Sequence, residues 1–209
     1  MLPLDNNTSF ILYADAHYDS HVVKFLLAQK RLVYELVFVA EGGYPDDLVT
    51  LNPYRTLPIL VNKEVALYEI NVIFEYLEER HPAYKLLPAT PKERAQTRLL
   101  AWRIQHDWLK LAKILLTHPD SLDTSAANHA RKTLTDTLTT LSPLFGKQPF
   151  FLSDSLGVCD ILLAPLLWRL PEMDINLPLH LCRPLLAYQK RLFAEPSFQQ
   201  SLQLPPTKG

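Results

Sequence analysis

Cysteine is nearly absent: the 209 residues hold only Cys159 and Cys182. Two thiols so far apart make neither a disulfide framework nor a zinc ligand set, which points to a reducing compartment. Charge of one sign is not in excess either. A formal net charge of −1 and a pI near 6.6 give no basic surplus for neutralising phosphates, so direct nucleic-acid binding is not expected. Long apolar runs are missing, and the first residues include Asp5 and polar Asn6, Asn7 and Thr8. Neither a signal peptide nor a membrane span is expected, and the cytoplasm is the expected location. Only five glycines occur, in keeping with a largely helical second half. The length suffices for one or two domains with their own cores.

What is present is organised around Leu51-Asn52-Pro53-Tyr54-Arg55-Thr56-Leu57-Pro58-Ile59-Leu60-Val61. A proline has no N–H to give to a ladder, so Pro58 marks the start of a strand. Only X-Pro bonds adopt cis at small cost. A cis Leu57-Pro58 bond would turn the Leu57 backbone outward and leave its N–H and C=O for a ligand; a trans proline at a strand start is the plainer alternative. Ile59 to Val61 and Val65 to Tyr68 flank Asn62-Lys63-Glu64 as a hairpin. Ile70, Ile73, Phe74 and Leu77 then form a helical stripe, with Glu75, Glu78 and Glu79 on its wetter side. Glu69 stands where the strand gives way to the helix, beside the N–H groups and dipole end that favour an anion.

Ahead of this stretch, Ser9 to Tyr13 reads as a strand, the Val22, Val23, Leu26, Leu27 stripe as a helix, and Tyr34 to Val39 as a second strand. That opening implies a parallel pair joined by a right-handed crossover. Asp46 to Val49 reads as a short helical turn. The first domain is thus β-α-β-α-β-β-α over residues 1–82. Residues 83–90 have the prolines and missing periodicity of a linker, and 91–209 read as all-helical. Thr90-Pro91-Lys92-Glu93 supplies an N-cap, a first-turn proline and a capping-box glutamate for a helix reaching Thr117. After a break at 120–124, Ala127 to Phe145 makes a second long helix. Gly157 opens an apolar helix, Ile161 to Leu170, with Asp160 placed to accept N-terminal N–H groups. The last helix runs from Pro184 to Ala194, before a polar tail after Leu204.

His17 and His21, spaced i, i+4 with Asp15 and Asp19 nearby, are the arrangement that could hold a divalent metal. Two histidines are too few for a motif of their own, and no metal or other cofactor is expected. Cys159, inside an apolar helix, reads as an inert core thiol. Cys182, beside Arg183 and just before a helix start, is the better position for a lowered thiol pKa, although a structural role is the commoner one.

The Asn52-Pro53 and Leu57-Pro58 pairs, the hairpin and the Glu69 junction resemble the thioredoxin-like half of the glutathione transferase superfamily. With the helical second half, the resemblance covers nearly the whole chain. It implies an α/β plus all-α fold, a thioredoxin-like domain followed by an all-helical one. In that superfamily the backbone beside a cis-proline and a Glu-Ser pair hold the γ-glutamyl end of glutathione. The matching positions here are Leu57, Pro58, Glu69 and Ile70, and Ile70 lacks the hydroxyl. A charge-assisted hydrogen bond of that kind is worth roughly 1.5–3 kcal/mol. The resemblance also implies a thiolate-stabilising residue near the end of the first strand, for which Tyr13, His17, Tyr18 and Ser20 are the candidates. Tyr13 is the residue that would serve a transferase; its commoner reading is a core or rim aromatic.

Tyr18-Asp19-Ser20-His21-Val22-Val23, Glu75-Tyr76-Leu77-Glu78-Glu79-Arg80, Phe151-Leu152-Ser153-Asp154 and Leu163-Ala164-Pro165-Leu166-Leu167-Trp168-Arg169-Leu170-Pro171 narrow the resemblance to the bacterial stringent starvation protein A family. That resemblance implies a homodimeric transcription regulator of the starvation and stress response. It would associate with RNA polymerase holoenzyme, core and sigma, and have no transferase activity. The family carries a Pro-His-Pro surface where this chain has Pro82-Ala83-Tyr84. Those three residues are the expected polymerase contact, with a plain linker as the alternative. Dimerisation would use the helices beginning at Ile70 and Pro91. The competing expectations are a glutathione-dependent transferase using Tyr13 and a cleft holding another anion, such as a signalling nucleotide, near Arg55 or Lys63.

Overall fold

A computed structural model describes residues 10–117 and 124–203. The expected strand start at Ser9, most of the break at 120–124 and the tail after Leu204 lie outside the described residues. The chain forms two compact units. One runs to Tyr84 and takes in the segment from Pro196; the other is Lys85–Glu195.

The first unit is built on a four-stranded sheet of order β2-β1-β3-β4. Its strands are β1 (Phe10–Ala14), β2 (Tyr34–Phe38), β3 (Ile59–Val61) and β4 (Ala66–Leu67). The β1-β2 pair is parallel, with Phe10 opposite Tyr34 and Ala14 opposite Phe38. It is linked through α1 (Tyr18–Gln29), the crossover that a parallel pair requires. β3 lies antiparallel to β1 and β4 antiparallel to β3, as a hairpin demands. α2 (Ile70–Arg80) follows. The helical element between β2 and β3 is a single 3-10 turn, Asp46–Thr50, burying only Leu48. Pro45 and Pro53 bracket it too closely for a longer helix.

α1 is buried on nearly every side, from Tyr18 and Ser20 through Ala28. A helix polar at Ser20, His21 and Lys24 reaches that state only if something roofs it. Part of the roof is a helix not expected from the sequence, α8 (Pro196–Ser201), which follows the segment that reads as the last helix. Fully buried Phe198 sits against His21 and edge-on to Phe25, both ring centroids at 5.3 Å. The Ser201 hydroxyl donates to Phe198 O at 2.6 Å, so His21 Nε2–H is the donor in its 3.0 Å contact with Ser201 Oγ. Ser197 Oγ adds a 2.6 Å bond to Gln29 Oε1.

In the helical unit, α3 (Pro91–Arg103) continues through a π-helical stretch, Ile104–Leu109, into α4 (Lys110–Thr117). Thr90 Oγ1 caps α3 by accepting from Glu93 N at 3.3 Å, and its hydroxyl donates to Glu93 Oε2 at 2.8 Å. After α5 (Thr124–Leu141) come a 3-10 turn at Ser142–Gly146, α6 (Val158–Trp168) and α7 (Arg183–Ala194). α6 is buried from Val158 to Leu167 and starts earlier than its apolar run suggests. Gly157 has no side chain with which to cap it, and a Cβ there would lie 3.3 Å from Leu86 O. Asp160 does the capping from inside the helix. Its carboxylate accepts from Gly157 N at 2.8 Å, Phe151 N at 2.8 Å and Tyr188 OH at 2.6 Å. Burial pushes the Asp160 carboxyl above its ordinary range, while these three bonds pull the other way. Burial, with the Asp160 charge, lifts the Tyr188 hydroxyl well above its usual value.

Phe198→Ala should destabilise the first unit by about 3–5 kcal/mol. Urea unfolding followed by far-UV circular dichroism measures this, and an unchanged midpoint would mean that α8 does not hold α1.

Candidate functional site

The loop leading into β3 is arranged by Asn52, which is fully buried. Its Nδ2 donates to Thr56 O at 2.8 Å and Thr56 Oγ1 at 2.9 Å, while Oδ1 accepts from Tyr54 N at 3.0 Å. An asparagine before a proline is a turn signal, and here its side chain closes the turn. The Leu57-Pro58 bond is cis. Among the described residues neither Leu57 N–H nor Leu57 C=O makes a hydrogen bond. Tyr13 and Leu57 pack, half-buried, against the same core cluster of Val39, Leu48 and Ile59, together with Tyr44 and Tyr68. Glu69, next in the chain after Tyr68, is exposed at the N-cap position of α2, where its Oε1 accepts from Asn71 Nδ2 at 3.2 Å. Ile70 fills the following position with a half-buried apolar side chain. The arrangement offers backbone N–H and C=O groups and a carboxylate at a helix start. It lacks a side-chain hydroxyl at the first helical position.

The other candidates scatter. His17 is exposed at the start of α1, its own N–H bonded to Asp15 Oδ1 at 3.0 Å. Ser20 is buried and accepts from Asp15 N at 3.1 Å. Tyr18 is buried in the core and His21 is engaged by α8, so the two histidines do not face a common site. Arg55 is exposed, 3.8 Å from Asp46 Oδ1, and Lys63 is exposed in the hairpin turn. In the helical unit Cys159 is buried beside Asp160, and burial pushes its thiol up to about 12. Cys182 is fully buried, with Sγ 3.5 Å from Thr139 Oγ1. Sequence reasoning did not anticipate a cavity of about 390 Å³ in this unit, walled by Leu100, Ile104, Trp108, Leu141 and Phe151. The π-helical stretch lines it, and heptad-like periodicity carries no sign of such a stretch.

The segment Pro82-Ala83-Tyr84 is exposed, but its base is locked. Glu78, expected on the wet side of α2, is 7 % exposed, because Lys30 at the end of α1 reaches it. The Lys30 ammonium donates to Glu78 Oε2 at 2.8 Å, His81 O at 3.1 Å and Tyr84 O at 3.1 Å. Three protons meet three acceptors, which is what a buried ammonium needs. Arg31, in left-handed backbone geometry at φ 54°, lays its guanidinium 4.8 Å from the centre of the Tyr84 ring. Lys30 and Arg31 thus hold the loop from beneath and from the side.

This architecture and its cis-proline loop are those of glutathione transferases, and the glutathione S-transferase N-terminal domain family matches residues 20–80. A glutathione S-transferase structure from Rhodospirillum rubrum superposes with a TM-score of 0.81 at 22 % identity, covering 95 % of this chain and 94 % of that one. The stringent starvation protein A homolog of Coxiella burnetii is 37 % identical over 183 residues, 88 % of this chain and 86 % of that protein. That of Pasteurella multocida is 36 % identical over 182 residues, 87 % and 84 % of the respective chains. The chain belongs to the stringent starvation protein A family. Among the described residues no helix is long and apolar enough to cross a membrane.

Lys30→Met should leave Glu78 buried without its ammonium partner, at a cost of about 3–5 kcal/mol. The variant should unfold at lower urea and be cut faster by protease near residue 84; wild-type behaviour in both assays would refute the locking role.

Proposed function

We propose that this chain is an RNA polymerase-associated transcription regulator of the starvation and stress response, retaining a transferase fold without transferase activity. The observation that carries this reading is its likeness to stringent starvation protein A homologs over nearly nine-tenths of its length. Two features support it. Ile70 stands where a glutathione site needs a hydroxyl, and Tyr13 packs into a core cluster. Pro82, Ala83 and Tyr84 form the contact, an exposed rigid turn that Lys30 and Arg31 hold in one shape. A contact with little conformational entropy left to lose binds more tightly for the same area. The active form is a homodimer in the cytoplasm, needing no cofactor. Each unit exposes apolar side chains that suit a dimer contact, Val72 on α2 in the first and Leu99 and Trp102 on α3 in the second.

The glutathione-dependent reading keeps one supporting observation, the unpaired Leu57 backbone near exposed Glu69. Immobilised glutathione separates the two: retention of this chain, together with a turnover that Tyr13→Phe abolishes, would favour the enzyme. The regulator reading expects no turnover with either form.

Immobilised protein should retain polymerase core and sigma subunits from lysate of its own organism after a moderate salt wash. Tyr84→Ala should weaken that binding by about 1–2 kcal/mol, roughly five- to thirtyfold. Equal retention by the variant would exclude the 82–84 contact. Sedimentation should give a dimer at micromolar concentration, and a monomer there would remove the dimer from this account.

A further inference from the structure

The one residue of the polymerase-contact region that Lys30 touches and the function does not use is His81. It caps the end of α2, its N–H donating to Leu77 O at 3.0 Å and its carbonyl accepting from Lys30. The imidazole lies edge-to-face with Phe10 of β1, centroids 5.8 Å apart. Its Nε2 is buried and has no hydrogen-bond partner. The charged groups around it are Arg80, its neighbour on α2, and Lys30, reaching from α1. Glu78 on α2 is bonded to Lys30, and Arg31 lies over Tyr84 on the loop. Two cations therefore bear on the ring, while the nearby carboxylate serves one of them.

We infer that His81 is a proton-operated latch: neutral, its ring stays docked on Phe10 and the 82–84 turn is held; protonated, the ring leaves its seat and the turn is released. With Nδ1–H as the neutral tautomer, a proton arriving at Nε2 would find no acceptor, an apolar ring packed against the imidazole and two like charges within electrostatic reach. The ring takes that proton at Nε2 by turning this nitrogen to water, and this strains both the cap to Leu77 and the Lys30 bond to the His81 carbonyl. Lys30 also holds Tyr84, so loosening one carbonyl loosens the other. Burial, with repulsion from Arg80 and Lys30, holds the His81 pKa below its ordinary 6.5. The docked form therefore binds fewer protons than the released form. Its extra stability is present above pH 6.5 and is lost as the pH falls through 6.5 toward the docked value. The functional weight of the latch rests on the reading of 82–84 as the polymerase contact.

The test is amide hydrogen exchange of the full chain between pH 7.5 and pH 5, resolved at residue 81, whose N–H donates to Leu77 O, and corrected for the intrinsic pH dependence of exchange. Opening should rise several-fold at the lower pH in the wild type and stay level in His81→Phe, which keeps the aromatic contact and cannot titrate. An NMR titration of the His81 ring in the wild type gives a second readout that needs no variant. A pKa at or above 6.5, or equal pH dependence in both proteins, would overturn the latch. Polymerase capture at both pH values separates the two readings. Capture at pH 7.5 that fades at pH 5 only in the wild type supports both. No capture at either pH, with pH-dependent opening intact, removes the contact and leaves the latch standing.

Discussion

A buried ammonium with three acceptors is the constraint on which the first unit depends. Lys30 cannot be placed out of water unless each of its protons has a partner, and those partners come from two different stretches of chain. Glu78 is delivered by α2, whereas the carbonyls of His81 and Tyr84 come from the backbone just beyond it. The end of α1, the end of α2 and the exposed turn can therefore be in register in only one way. Replacing both partners of a buried ion pair by well-packed apolar side chains is often neutral for stability, so its presence is better explained by what it specifies. It specifies the shape of a surface turn that has no secondary structure of its own.

The loop before β3 follows from a similar economy of parts. Asn52 still organises the loop, the proline bond is cis, and Glu69 still opens α2. These features serve the fold as much as any ligand, because the loop must turn into β3 and α2 must start somewhere. The hydroxyl missing at Ile70 would have served only a ligand.

Most of the fold was legible, because it is written in periodicity and punctuation. The strands, hairpin, proline-marked turn and Thr90 cap are all local signals, and each stands where its pattern places it. The misses share one cause: they depend on what packs where. Glu78 falls on the polar side of α2 by sequence, yet a lysine forty-eight positions earlier buries it. His21 looks like half a metal site until α8 occupies its ring nitrogen. α8 itself, six residues with Pro196 at its start, is too short for periodicity to declare. The candidate site was legible at the loop and at Glu69. The locking of Pro82-Ala83-Tyr84 was not, since a lysine at the end of an apolar helix gives no hint of the carbonyls it will reach.

The position of α8 in the chain bears on how the protein comes to be made. The seat it fills, between His21 and Phe25, belongs to α1, which is synthesised well before Phe198. Throughout the synthesis of residues 85–195 the nascent first unit carries an apolar gap on α1. It is open to chaperones, or to the same surface of a neighbouring nascent chain, until α8 closes it.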